Sequence, residues 1–184
     1  ATLAPSATAM RTATNTPTPT RTLAPGTTAQ DVKRIVLNKM TAAIPGVTKR
    51  DSDKLGAAIN SVNQSLAANL WVDGNHLDSN DGDKVFNAEE NAVTKLLDLK
   101  NDPQTRLPRT TLQDWIDRLV QVDRSLASIA ISDAIAAGGN ADKIADARDE
   151  LAKGDAERAR RRYDRAIGKY KNAWQDALAA IGAR

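Results

Sequence analysis

From Val32 to Ile181 the large apolar residues recur every three or four positions, and strong breakers interrupt the pattern at a few places. That period places apolar side chains on one face of an α-helix. It does not fit the two-residue alternation of a half-buried strand. Aromatic residues are only 3% of the chain, so the interior has to be built from Ala, Leu, Ile and Val. Small side chains let helix axes approach closely, and runs of the β-branched and aromatic residues that make strands are nearly absent. The expected fold is all-α: an antiparallel bundle of five to six helices preceded by an extended Thr/Pro-rich arm.

The arm is residues 1–27. The first 30 residues hold ten Thr, seven Ala and four Pro, and their only charges are Arg11 and Arg21. Prolines at this density prevent a helix, and only Leu3, Met10 and Leu23 among the large apolar residues are available to bury. The composition fits a linker, an O-glycosylated stalk, or an assembly arm that orders on another subunit. The chain begins at Ala1 without an initiator Met, which fits a processed product.

Residues 28–182 should form the bundle. Thr28 and Asp31 have the spacing of a capping box for a first helix, with Val32, Ile35, Val36, Met40, Ala43 and Ile44 as its stripe and Pro45-Gly46 as its end. A second helix is expected from about Ser52 to Leu70. A third should start at Asn87, capped by Asn87 and Glu90, and end at Asn101-Asp102-Pro103. A fourth should run from about Thr111 to Ala137, capped through Thr110 and Gln113 or Thr111 and Asp114, with Gly138-Gly139-Asn140 stopping it. Its expected stripe includes Ile129 and Ile135. The 101–110 stretch leaves two arrangements open, one shared core or two packed subunits, 28–100 and 110–182. Beyond Asn140 the apolar stripe changes phase near Lys153-Gly154-Asp155. Two helices, 141–153 and 155–182, are therefore expected rather than one long one.

The stretch from Trp71 to Glu90 holds the one His (His76) and the one Phe (Phe86). It is also the densest in acids and amides. Asp78, Asn80, Asp83 and Glu89 are candidate calcium ligands, because hard cations take oxygen donors from such loops. An EF-hand wants an acid followed by glycine where this chain has Gly82-Asp83, so the usual loop is not matched. Trp71, His76, Phe86, Asn87 and Glu90 are expected to pin the loop and cap the following helix.

Other chemistry is poorly supplied. There is no Cys, which removes disulfides and thiolate zinc sites, and one His leaves no ordinary catalytic triad. Asp114, Asp117 and Asp123 lie near Trp115, but few aromatics outline a sugar cleft. No enzymatic activity and no cofactor, calcium aside, is expected. The basic segment 158–171 carries Arg158, Arg160, Arg161, Arg162, Arg165, Lys169 and Lys171, with Tyr163 and Tyr170 between them. It offers a weak nucleic-acid surface, although both tyrosines share the phase of Ile167 and Trp174. Residues 70–140 carry twelve acids against seven bases, so some of these arginines should pair internally. The longest apolar run is far shorter than the ~20 residues of a membrane span, so no membrane insertion is expected.

Two blocks carry a resemblance. LWVDGNHLDSNDGDKVFNAEENAVTKLLDL (Leu70 to Leu99), together with IDRLVQVDRSLASIAISDAI and ELAKGDAERARRRYDRAIGKYKNAWQDAL, resembles a helical region at the C-terminal ends of large secreted bacterial and archaeal proteins. The run from Trp71 to Asp78 is the most specific part. The resemblance implies a secreted or cell-surface location and a non-catalytic structural, anchoring or protein-assembly role. Its partner would be another copy or the rest of a larger protein. A calcium-stabilised adhesion module is the alternative.

Overall fold

The computed structural model describes residues 26–182; the arm expected at 1–27 lies outside them except for its last two residues. Six α-helices follow one another: α1 Ala29–Ala43, α2 Lys49–Ser65, α3 Asp83–Asn101, α4 Arg109–Ala136, α5 Ala141–Ala159 and α6 Tyr163–Ala180. Among the described residues there is no named strand, only one isolated antiparallel bridge between Trp71 and Leu77. Successive helices run in opposite directions, and the buried apolar residues form one continuous cluster. No helix among the described residues is long and apolar enough to cross a membrane.

α4 is the axis of the arrangement. Its 28 residues span about 42 Å, and it packs against α1, α3, α5 and α6. α1 and α2 close a ring with α3 and α4 on one side. α5 and α6 close another with the same pair on the opposite side. α3 and α4 therefore belong to both halves, and Leu119, Val120, Val122 and Ile116 of α4 are all fully buried. The 102–108 connection is tied back to α2. Asp51 accepts the Arg106 amide at 3.0 Å, and Asp102 pairs with Arg50 and Lys54.

Local chemistry explains most helix ends. Thr28 and Asp31 form the expected reciprocal capping box. Thr48 caps α2 by accepting the Asp51 amide, three residues earlier than the period suggested. α2 ends at Ser65, and Ala68–Leu70 make a separate 3-10 turn. α4 starts at Arg109 behind Pro108 without a side-chain cap, so neither Thr110 nor Thr111 plays that part. At its far end Gly138 adopts φ +68°, and the Gly138 and Gly139 amides bond back to Ile135 and Ala134. This left-handed stop is one glycine favours. Asn140 then caps α5 through the Lys143 amide.

Other expectations fail, two of them for a packing reason. α3 begins at Asp83, not Asn87, because Val85 and Phe86 are both fully buried and have to be on the helix. Asn87 and Glu90 are interior residues of α3 and cap nothing; the Asn87 side-chain Oδ1 instead accepts from Lys171 of α6. The α5–α6 hairpin exists, but its corner is at 160–162 rather than Gly154. α5 continues because its inward positions beyond Leu151 are Gly154, Asp155 and Arg158. Gly154 is bare so that the Tyr170 ring can lie on it, while Asp155 and Arg158 bond to Tyr170 and Gln121. Ile35 and Ile135, placed on apolar stripes by their spacing, are 43% and 45% exposed.

The real corner uses an unusual residue. The Arg161 and Arg162 amides bond to the Arg158 and Glu157 carbonyls, the same pattern seen at Gly138. Arg161 sits at the left-handed position with φ 61°. A residue with a Cβ there costs about 1 kcal/mol relative to glycine.

Candidate functional site

The loop between α2 and α3 is built from its own side chains. Val72 donates to the His76 carbonyl at 2.9 Å and Asp78 to the Leu70 carbonyl at 2.9 Å, making a tight hairpin. The Asp73 carboxylate accepts from the Asn75 and His76 amides and faces His76 Nδ1 at 2.7 Å. The Asn75 amide, followed by the His76 ring, holds the Asp73 carboxyl below the usual carboxylate range. His76 Nε2 lies 3.3 Å from Asp133, tying the loop to α4. Trp71, half-buried, donates its indole N–H to the Ser65 carbonyl, and Phe86 stacks at a tilt on Trp174 with centroids 5.8 Å apart.

This loop also receives the start of α1. Ala29 donates to the Asn75 side chain at 2.9 Å and Gln30 to the Gly74 carbonyl at 3.0 Å. A Cβ on Gly74 would fall 2.7 Å from Thr28, so only glycine admits that approach.

The four candidate calcium ligands are not brought together. Asp78 accepts the Asn80 and Asp81 amides and closes the turn. Asn80 is exposed, and Asp83 is the first residue of α3. Glu89 is turned into the core. Among the described residues no group of three or more His, Asp or Glu side chains is placed to hold a metal ion.

What Glu89 meets is the most unusual chemistry in the molecule. Lys33 of α1, Glu89 of α3 and Asp123 of α4 converge with side chains fully buried. Lys33 Nζ lies 2.9 Å from Asp123 Oδ1 and 3.2 Å from Glu89 Oε1. Ser65, at the end of α2, offers one hydroxyl hydrogen to two acceptors, Glu89 Oε1 and the Val62 carbonyl. Glu89 Oε2 and Asp123 Oδ2 have no partner. One cation thus faces two carboxylates in a site without water contact, where an uncompensated charge costs several kcal/mol. Burial, reinforced by Glu89 and opposed by Lys33, pushes the Asp123 carboxyl up to about 7. Burial depresses the Lys33 ammonium, but Asp123 and Glu89 outweigh it and hold the lysine above its ordinary value.

The missed signal was one of phase. Lys33 follows Ala29 and precedes Val36 and Met40 on the buried face of α1. Glu89 lies between Phe86 and Val93 on that of α3, and Asp123 between Leu119 and Leu126 on that of α4. Charged residues in register with an apolar stripe need partners from other helices.

The basic segment is largely engaged internally. Arg158 donates to Gln121, Arg160 and Arg162 pair with Glu157, and Lys169 pairs with Glu150 at 3.0 Å. Tyr163 and Tyr170 are buried, as their phase required. Tyr170 donates to Asp155 at 2.9 Å, and Asp155 takes both N–H groups of the Arg124 fork at 2.7 and 2.8 Å. No protein-family model, no curated protein and no solved structure matches this chain. The class the fold defines is an all-α bundle with charged groups in its core.

Proposed function

We propose that the chain is a non-catalytic, exported helical module that anchors or assembles other protein at the end of its Thr/Pro-rich arm. The observation that carries this reading is the stitching of the start of α1 to the 71–76 loop. Where the arm enters, the chain is held by a capping box, by two long-range hydrogen bonds and by Gly74 packed on Thr28. Such a start resists fraying when the preceding segment is pulled, because α1 cannot unwind without breaking contacts far away in sequence.

The end of α6 lies on the same side, since the Asn140 amide bonds to the Ala180 carbonyl beside the end of α4. Large apolar side chains are exposed on these same end segments: Val72 at 70%, Ile135 at 45% and Ile181 at 41%. These side chains offer apolar contact points at that end for a second copy or a larger protein. The resemblance of Leu70 to Leu99 to terminal helical regions of secreted proteins points the same way.

Sedimentation of the full chain, and of a chain lacking residues 1–25, tests the assembly form of this reading. Self-association that weakens when the arm is removed or when Val72 is made polar is the expected result. A strict monomer in both forms at high concentration overturns self-assembly and leaves attachment alone.

A further inference from the structure

At the end of the bundle opposite the loop, three cations surround a hollow of about 380 Å³. Lys100 comes from the last turn of α3, Arg109 from the first turn of α4, and Arg161 from the α5–α6 corner. We propose that this hollow binds the phosphate of a small phosphate monoester, independently of the assembly role above.

The charges are the main argument. The neighbouring acids are already taken, Asp114 by Arg118 and Glu157 by Arg160 and Arg162. Asp117 is the one carboxylate lining the hollow, and Gln113 caps its Oδ1 at 2.9 Å. Lys100, Arg109 and Arg161 enter no ion pair among the described residues, so the hollow carries a net excess of two positive charges. Two guanidinium forks and an ammonium match the tetrahedral oxygens of a phosphate.

The lining is also organised. Gln113 Nε2 donates to both Asp117 and the Tyr163 hydroxyl at 2.9 Å, and its carbonyl oxygen accepts from Lys100. The Tyr163 oxygen is therefore an acceptor to Gln113, and its own proton is left to donate. Thr110 adds a second hydroxyl on the wall. The hollow is open to solvent, and the two hydroxyls beside the cations suit the organic remainder of an ester. Arg161 holds a left-handed backbone position that glycine fits better. A cation at that corner explains why the strained residue stands there.

The test is titration of the full chain at low salt with glycerol phosphate, inorganic phosphate and chloride, followed by amide and side-chain NMR. Saturable binding is expected, tightest for the ester and shifting Tyr163 and Gln113. Arg161→Gly relieves the backbone position and keeps the fold, so it should melt no lower than the parent yet bind at least about tenfold more weakly, the loss of one charge-assisted contact. Arg160→Gln, outside the hollow, should bind as the parent does. No saturable binding, equal binding by Arg161→Gly, or an equal loss in Arg160→Gln overturns the site. Inorganic phosphate binding as tightly as the ester overturns the assignment to an ester.

Discussion

Asp123 and Arg124 are neighbours on α4, and each anchors a three-member polar group. Asp123 faces α1 and α3, where it meets Lys33 and Glu89. Arg124 faces α5 and α6, where it meets Asp155 and Tyr170. The first group is sealed in the core, carries one cation for two carboxylates and leaves two oxygens unpartnered. The second is half-open, with Arg124 25% and Asp155 39% exposed by side chain, and both Asp155 oxygens accept a guanidinium N–H. One turn of helix thus holds two solutions to the same task of joining three helices. The buried one acts mainly through the penalty for breaking it, because stranded charge in the interior is expensive. The open one acts through satisfied hydrogen bonds that water partly screens.

The largest expected effect comes from removing the cation. Lys33→Met leaves two buried carboxylates facing each other, and urea unfolding at pH 8 should show a loss of roughly 3–5 kcal/mol. A loss under about 1 kcal/mol there would mean that the core group is no more sensitive than the open one.

The next effect is one of pH. In the unfolded chain the Asp123 carboxyl titrates at its ordinary 3.8, and in the folded state at about 7. Between those values the folded state binds the extra proton. Its contribution to stability is therefore complete below the lower value and is lost as pH rises through about 7. Thermal melts across that window should show stability falling toward pH 8 in the parent. In Asp123→Asn the fall should flatten and the pH 8 melting temperature should rise, since only one carboxylate then faces Lys33. A parent slope unchanged in Asp123→Asn assigns the proton elsewhere. Glu150 acts in the opposite sense and at lower pH. Burial opposes the shift, but Lys153, Lys169 and Asn172 bring its carboxyl down to about 2, so its contribution is lost only as pH falls from 4.5 through that value.

The smallest effect belongs to the open group. Asp155→Asn keeps the shape and removes the charge opposite Arg124, for an expected loss of about 1 kcal/mol with no strand of buried charge left behind. That loss should shrink further in high salt, whereas the Lys33→Met loss should not. Equal salt sensitivity of the two variants would erase the distinction between the groups.

Much of the fold was legible because it depends on neighbours in sequence. The helical period, the Thr28–Asp31 box, the Gly138 stop and the Asn140 cap each involve residues within one turn of one another. The failures share a different cause. The start of α3 moved because Val85 and Phe86 pack on distant helices. The α5–α6 corner moved because Gly154 serves the Tyr170 ring, while Arg161 takes the left-handed position that glycine fills at Gly138. The stretch from Trp71 to Glu90 stands out in sequence, yet the bonds that Ala29 and Gln30 donate to Asn75 and Gly74 span more than forty residues and leave no local pattern.

The sequence by itself determined an all-α chain of five to six helices and several of their ends, because period, capping and breaking are properties of short segments. Only the tertiary structure decided which charged residues share a site. Lys33 and Asp123 are 90 positions apart, and their pairing depends on where α1 and α4 cross. Lys100, Arg109 and Arg161 likewise surround one hollow only because a helix end, a helix start and a hairpin corner meet there. Burial and long-range electrostatics depend on distance in space, which no local pattern of residues encodes.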